Sequence, residues 1–273
     1  MAITTRDGLI KAMGNNFDKL MYNKATQVNA LPGNIFSLWT LTGIPGAGSN
    51  PTTAAVPTNA TTGAIPFTNQ TAPAKAYLPS FQVSNSTVSG SNLDIHDRIA
   101  HMGGLSGTVT TAQTVGIDLL SIGVSSDRLG AADYSDVIWY IEVYTDMGAT
   151  SVTAICAVTY DDGSNGNLTA ISLGVSPRKC RMFQLLPAVA GRNIRAVNTV
   201  TLSATTGTAG NFGVTATRQM LTTFMTIING YNVYDWASLG LPYIPNDACL
   251  FGVVLCQGIS SGQFYAFGKF VYG

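Results

Sequence analysis

Residues 137–166 read VIWYIEVYTDMGATSVTAICAVTYDDGSNG, and the fold class turns on this stretch. Residues 137–145 and 152–159 are rich in Val, Ile, Thr, Tyr and Trp, the residues that suit a pleated, half-buried surface. Asp146-Met147-Gly148 separates the two runs, and Asp161-Asp162-Gly163-Ser164-Asn165-Gly166 closes the second; both have hairpin-turn composition. Working outward, similar runs recur at 107–115, 168–173, 181–186, 195–204, 213–217, 221–228, 249–257 and 263–272. Many short strands with Gly- and Asn-rich turns predict a mainly β chain, an antiparallel β-sandwich or jelly-roll-like domain.

The N-terminal third reads differently. Leu9, Ile10, Met13, Phe17, Leu20 and Met21 recur at three- and four-residue steps, which predicts an amphipathic helix over 5–22. Thr4 or Thr5 can cap it, and Asp7 suits its positive end. Residues 25–74 then run for fifty positions without Asp, Glu, Lys, Arg or His. Gly, Pro, Thr and Asn break this stretch everywhere, so it is no membrane span. Its composition predicts an extended arm lying against a protein surface, anchored by the apolar run at 35–41. A short helical turn is expected at 92–103, with Asn92 or Asp94 as cap and Gly103-Gly104 as stop. The expected organisation is an N-terminal helix and charge-poor arm over residues 1–91 and a β-sandwich over 92–273.

Charged residues are 10% of the chain, with 14 basic against 14 acidic, well under the roughly 25% of an average domain. A neutral balance gives no footprint for nucleic acid. The one small basic cluster, Arg178, Lys179 and Arg181 with Arg192 and Arg195 following, reads as loop charge or as a salt bridge to a partner, with an anion or nucleic-acid site as the alternative. The N-terminus has no signal-peptide run, so cytoplasmic synthesis is expected. Cys156, Cys180, Cys249 and Cys256 show no CxxC spacing and read as buried free thiols. No nucleophile elbow, zinc-protease or phosphate-loop motif occurs. His96 and His101 read as part of a charged helix end with local Asp97–Arg98 pairing, and the loop at 161–166 lacks the acidic twelfth ligand of a calcium hand. No enzyme, metal or cofactor is expected.

Four segments carry a resemblance: FSLWTLTGIPGAG at 36–48, TTGAIPFTN at 61–69, DRIAHMGGL at 97–105 and TTAQTV at 110–115. In this order, after a short N-terminal helix, they resemble tailed-bacteriophage virion proteins encoded among head genes. The likeness runs through residues 5–220. Residues 221–273 look like an addition, and that group often carries an aromatic near the position of Ala100. The resemblance implies a capsid decoration or cement protein, with the major capsid protein and copies of itself as partners. It implies a place on the capsid surface of the virion, assembled in the host cytoplasm, as a symmetric homo-oligomer with a trimer favoured by three-fold capsid sites. A tail, neck or fibre protein is the structural alternative. A carbohydrate-binding module is another, with Tyr231, Tyr234 and Trp236 to stack on sugars. The interface is expected at Leu9, Met13 and Phe17 of the helix and Phe36, Leu38, Trp39, Phe67, Tyr77 and Phe81 of the arm, because aromatic anchors tend to carry interface energy. Packing of the same residues on the chain's own sandwich is the competing reading.

Overall fold

The computed structural model describes residues 2–27, 30–87, 91–258 and 262–273. Helix α1 (Arg6–Asn15) is capped by Thr5, whose hydroxyl accepts the Gly8 N–H at 3.1 Å. It stops at Asn15 rather than at residue 22, because Gly14, Asn15 and Asn16 are poor helix formers. Phe17 onward is extended as β1 (Phe17–Lys24). The expected helix stripe is therefore divided: Leu9 is buried from α1, while Leu20 is buried and Met21 exposed on alternate faces of a strand.

Then follow β2 (Ile35–Ser37), β3 (Gly43–Ile44), β4 (Ala76–Asn85), β5 (Ser91–Leu105) and β6 (Gln113–Asp118). After the short α2 (Ser126–Leu129) come β7 (Val137–Thr145), β8 (Val152–Tyr160), β9 (Asn165–Asn167), β10 (Ile171–Gly174) and β11 (Arg181–Leu185). The last are β12 (Ile194–Leu202), β13 (Asn211–Met225), β14 (Asn232–Tyr234), β15 (Tyr243–Ile244), β16 (Leu250–Leu255) and β17 (Phe264–Tyr272). The chain is thus mainly β with antiparallel sheets, of the expected class. β7 has the expected bounds, whereas the expected strands at 213–217 and 221–228 are one strand, β13.

Strands β11-β2-β16-β5-β13-β7 close into a barrel. A sheet ordered β14-β4-β17-β1-β3 covers one side, and a sheet ordered β10-β8-β12-β6 covers the other. The period-two alternation of a strand divides each barrel strand between these layers. On β7, Trp139, Ile141 and Val143 join the core against β8 and β12, while Tyr140, Glu142 and Tyr144 point into the barrel. On β16, Leu250 and Val254 face the β4–β17–β1 sheet, and Phe251 and Val253 face inward. Burial on both faces explains why residues 137–145 are apolar almost throughout.

Two expectations are corrected here. The segment at 92–103 is not helical but the middle of β5, paired with β13 and β16. Its charges and histidines mimic a helix surface; in fact Leu93 and Ile95 face the outer core, while Asp94, His96 and Arg98 turn to the barrel interior. The arm is not free either. β2 pairs with both β11 and β16 and so closes the barrel, β1 pairs with β17, and Ala55 bridges His101. Residues 1–91 and 92–273 therefore share sheets and do not separate into two bodies. The arm lacks charge because the surface it lies on is this chain's own core, where an unpaired charge would be costly. A buried cation from β1 anchors it: Lys24 donates to the carbonyls of Leu41 (3.1 Å), Pro45 (2.8 Å) and Gly46 (3.0 Å).

Candidate interaction surface

The barrel interior absorbs the residues that carry reactive chemistry. Glu142, the chain's only Glu, pairs with Arg98 at 2.5 Å, and both are buried. Arg98 Nη2 also donates to Tyr144 Oη at 2.7 Å, and its Nε donates to His101 Nδ1 at 2.9 Å. The guanidinium lies 4.7 Å from the Trp39 ring and 5.1 Å from the Phe251 ring, a desolvated cation–π arrangement. Because neighbouring residues on a strand face opposite ways, Asp97 does not pair with Arg98. It accepts from Arg128 of α2 at 2.7 and 2.9 Å and from the Cys249 N–H at 2.8 Å.

The recurring motifs meet at this cluster. A Cβ on Gly48 would lie 2.0 Å from the Trp39 indole, and one on Gly63, at φ +103°, would lie 2.6 Å from Gly48. Only glycine permits the two loops to stack on Trp39 in this way. The segments at 36–48, 61–69 and 97–105 are thus matched surfaces of one packed junction, with structural work and no exposed reactive group.

Both histidines are held neutral. Burial pushes His96 down to about 3, and burial with the Arg98 charge pushes His101 down to about 2. The unfolded chain, with imidazoles near 6.5, takes up protons that the folded chain refuses. Their stabilising contribution is complete above pH 6.5 and is lost as pH falls towards 3, at about 1.4 kcal/mol per pH unit for each histidine. Urea midpoints at pH 7, 6 and 5 should fall steeply, and His96→Gln should remove about half of the slope; a flat profile would contradict the neutral assignment. All four cysteines are buried free thiols. Among the described residues no group of three His, Cys, Asp or Glu is placed to hold a metal, and no helix is long and apolar enough to cross a membrane. The basic cluster is largely spent within the chain: Arg178 pairs with Asp146, Arg192 with Asp161 and Asp162, and Arg195 with Asp118. Arg181 lies over the Phe183 ring and donates to Asn34.

The residues expected to anchor a partner are mostly inside the fold. Phe36, Leu38, Phe67 and Phe81 are buried between the barrel and the β4–β17–β1 sheet, and Trp39 fills the barrel. Leu9 is buried under α1, and Met13, Phe17 and Tyr77 are half-buried. Phe17 lies under the Lys269 ammonium at 4.1 Å, and Tyr77 packs near Tyr243. Phe36, Leu38, Trp39, Phe67 and Phe81 thus follow the competing reading and anchor their segments to their own chain, whereas Met13, Phe17 and Tyr77 keep part of their surface exposed. In the loop considered for sugar stacking, Tyr231 and Trp236 are exposed, while the Tyr234 hydroxyl is bound to the Phe224 backbone.

One cluster of exposed apolar side chains lies on another face. On the outer face of the β14-β4-β17-β1 sheet, strand register places Val233, Gln82, Phe267 and Met21 in one row. Val233 is 67% exposed, Met21 51% and Phe267 39%. Tyr231, 52% exposed, sets its ring 6.1 Å from Phe267. A groove of about 520 Å³ runs between β1, β17 and β4 beside this row, flanked by Lys19 and Lys269. The signal for it was present in FYAFGKFVY at 264–272 and FDKLMYNK at 17–24, where both faces of the strand carry apolar residues. Period-two reading assigns one face to the core but cannot say whether the second is covered.

No known family matches the chain, and no curated protein matches it. Among solved structures, a mutant VP2 protein of infectious bursal disease virus in derived T=1 particles aligns over 94% of this chain and 77% of that chain, at 9% identity and a TM-score of 0.17. A VP2 subviral particle of the same virus aligns over 93% and 79%, at 9% identity and a TM-score of 0.15.

Proposed function

We propose that this chain is a structural virion protein of a tailed phage, a capsid decoration or cement protein that acts by binding and not by catalysis. The observation that supports it best is the uncovered row Val233–Gln82–Phe267–Met21 with Tyr231 packed beside it, since a cluster of exposed large apolar side chains marks interaction sites. The motif order resembling phage head proteins supplies the setting, and Glu142, Arg98 and both histidines are engaged inside the barrel. The proposed partners are the major capsid protein and further copies of this chain. The outer sheet face takes the place of the arm as the attachment surface.

The test is the location and copy number of the chain in purified particles. Hundreds of copies over the head are expected; a position at the tail tip, or absence from particles, overturns the reading. Phe267→Asp should cost the fold about 1–2 kcal/mol, because it loses the Tyr231 contact and strand propensity on β17 but no core packing, and it should weaken attachment by about 2 kcal/mol or more, as for a central interface aromatic. Particles bearing the variant should shed the protein on dilution. Unchanged retention would remove this face from the interface.

A further inference from the structure

The barrel has a second feature that the virion reading does not use. Along β5, Trp39 packs on Arg98 and His101, so it fills the barrel interior away from residues 92–96. At the 92–96 end the barrel mouth is a pocket of about 260 Å³. Each barrel strand sends a side chain to it: Gln184 from β11, Ile35 from β2, Leu255 from β16, Asp94 from β5, Gln219 from β13 and Tyr140 from β7. Barrel mouths with apolar walls and a few converging polar groups are common small-ligand sites.

The charge at this mouth is uncompensated. Asp94 accepts from Asn92 Nδ2 at 2.8 Å and from Thr222 Oγ1, both neutral donors, and it joins no ion pair among the described residues. His96 below it is held neutral, and the Arg98 beyond is committed to Glu142. Burial holds the Asp94 carboxyl above its usual range, only partly offset by the two hydrogen bonds, and burial with the Asp94 charge pushes Tyr140 up to about 12. A cation would balance this carboxylate, and the geometry selects its kind. Asn92 occupies one carboxylate oxygen and Thr222 the other, which hinders the bidentate approach that suits a guanidinium. A compact ammonium needs only one remaining lone pair. Ile35, Val253 and Leu255 offer apolar wall for a methylene stem.

We propose that the barrel mouth binds a primary alkylammonium group, with the Asp94 carboxylate taking the charge, Gln184, Gln219 and Tyr140 offering further oxygen acceptors, and the aliphatic wall holding the stem. The ammonium could belong to a lysine side chain of a neighbouring protein or to a free diamine. The site is a property of the isolated chain, so its test is separate from that of the virion role.

The test titrates the purified full chain by calorimetry with pentylammonium, 1-pentanol, Nα-acetyl-lysine methylamide and 1,5-diaminopentane. Pentylammonium should bind at least tenfold more tightly than pentanol. Asp94→Asn should weaken pentylammonium at least tenfold, and Leu255→Trp, which narrows the mouth while keeping the carboxylate, should weaken it similarly. Binding of the lysine derivative as tightly as pentylammonium supports the site and assigns it to a protein lysine. Binding of the diamine with exclusion of the bulkier lysine derivative supports it and assigns it to a free amine. No binding of pentylammonium, equal binding of pentanol, or equal binding by folded Asp94→Asn protein overturns the proposal. If Asp94→Asn does not fold, the pentanol comparison and Leu255→Trp decide it.

Discussion

Deletion of residues 1–75 is expected to abolish folding. The sequence alone favours the opposite result, a folded β domain that merely loses attachment, because a charge-free, Pro-rich segment reads as a detachable arm. In the structure the deletion removes β1 and β3 from the sheet beside β17, and β2 from between β11 and β16, so the barrel opens and β17, β11 and β16 each lose one neighbour. It also removes Leu20, Tyr22, Phe36, Leu38, Trp39 and Ile65, all fully or almost fully buried. Burial of such side chains contributes about 1.5–3 kcal/mol each, so their joint loss rivals the roughly 5–15 kcal/mol by which folded domains are stable. The measurement is expression of residues 76–273 followed by urea denaturation. A soluble product with a cooperative transition would show that the arm is dispensable to the fold.

Arg98→Ala is expected to destabilise the protein by about 3–5 kcal/mol, as for other buried pairs broken on one side. The substitution strands Glu142 in the barrel with only Tyr144 and Thr215 as neutral partners. It also removes the cation lying over Trp39 and Phe251 and the donor that fixes His101. The paired replacement Arg98→Met with Glu142→Leu should cost less than either single removal, because the desolvation of both charges is relieved together. Urea midpoints of the single and double variants test this. A double variant as unstable as the sum of the singles would mean that the network does more than balance its own charges.

These expectations depend on features that are unequally legible in the sequence. The strands at 137–145, 152–159 and 263–272 were readable because turns bound them and their β-branched and aromatic content is dense. The 92–103 segment was not, because a strand whose inner face lines a polar barrel interior carries Asp94, His96 and Arg98 where an ordinary half-buried strand carries apolar residues. Asn92 and Gly103-Gly104 at its ends then imitate helix caps. The interface residues were misplaced for a related reason: aromatic anchors on an uncharged arm look the same whether they sit on a neighbour or at home. Of the residues that do reach solvent, Met21 fell in the expected helix and Val233 outside every expected strand; Phe267 sits in a strand run with apolar residues on both faces, which does not say whether the second face is covered.

By itself the sequence determined that this chain is mainly β, antiparallel, poor in surface charge and without a recognisable reactive motif, because alternation, turn composition and charge count are local properties of the chain. Only the tertiary structure decided that residues 25–74 belong to the core, that Arg98 finds the single Glu, and that one sheet face is left bare while a lone carboxylate stands at the barrel mouth. Those outcomes come from which strands lie side by side across the chain, as β2 does with β11 and β16, and pairing over such sequence distances leaves no local pattern to read.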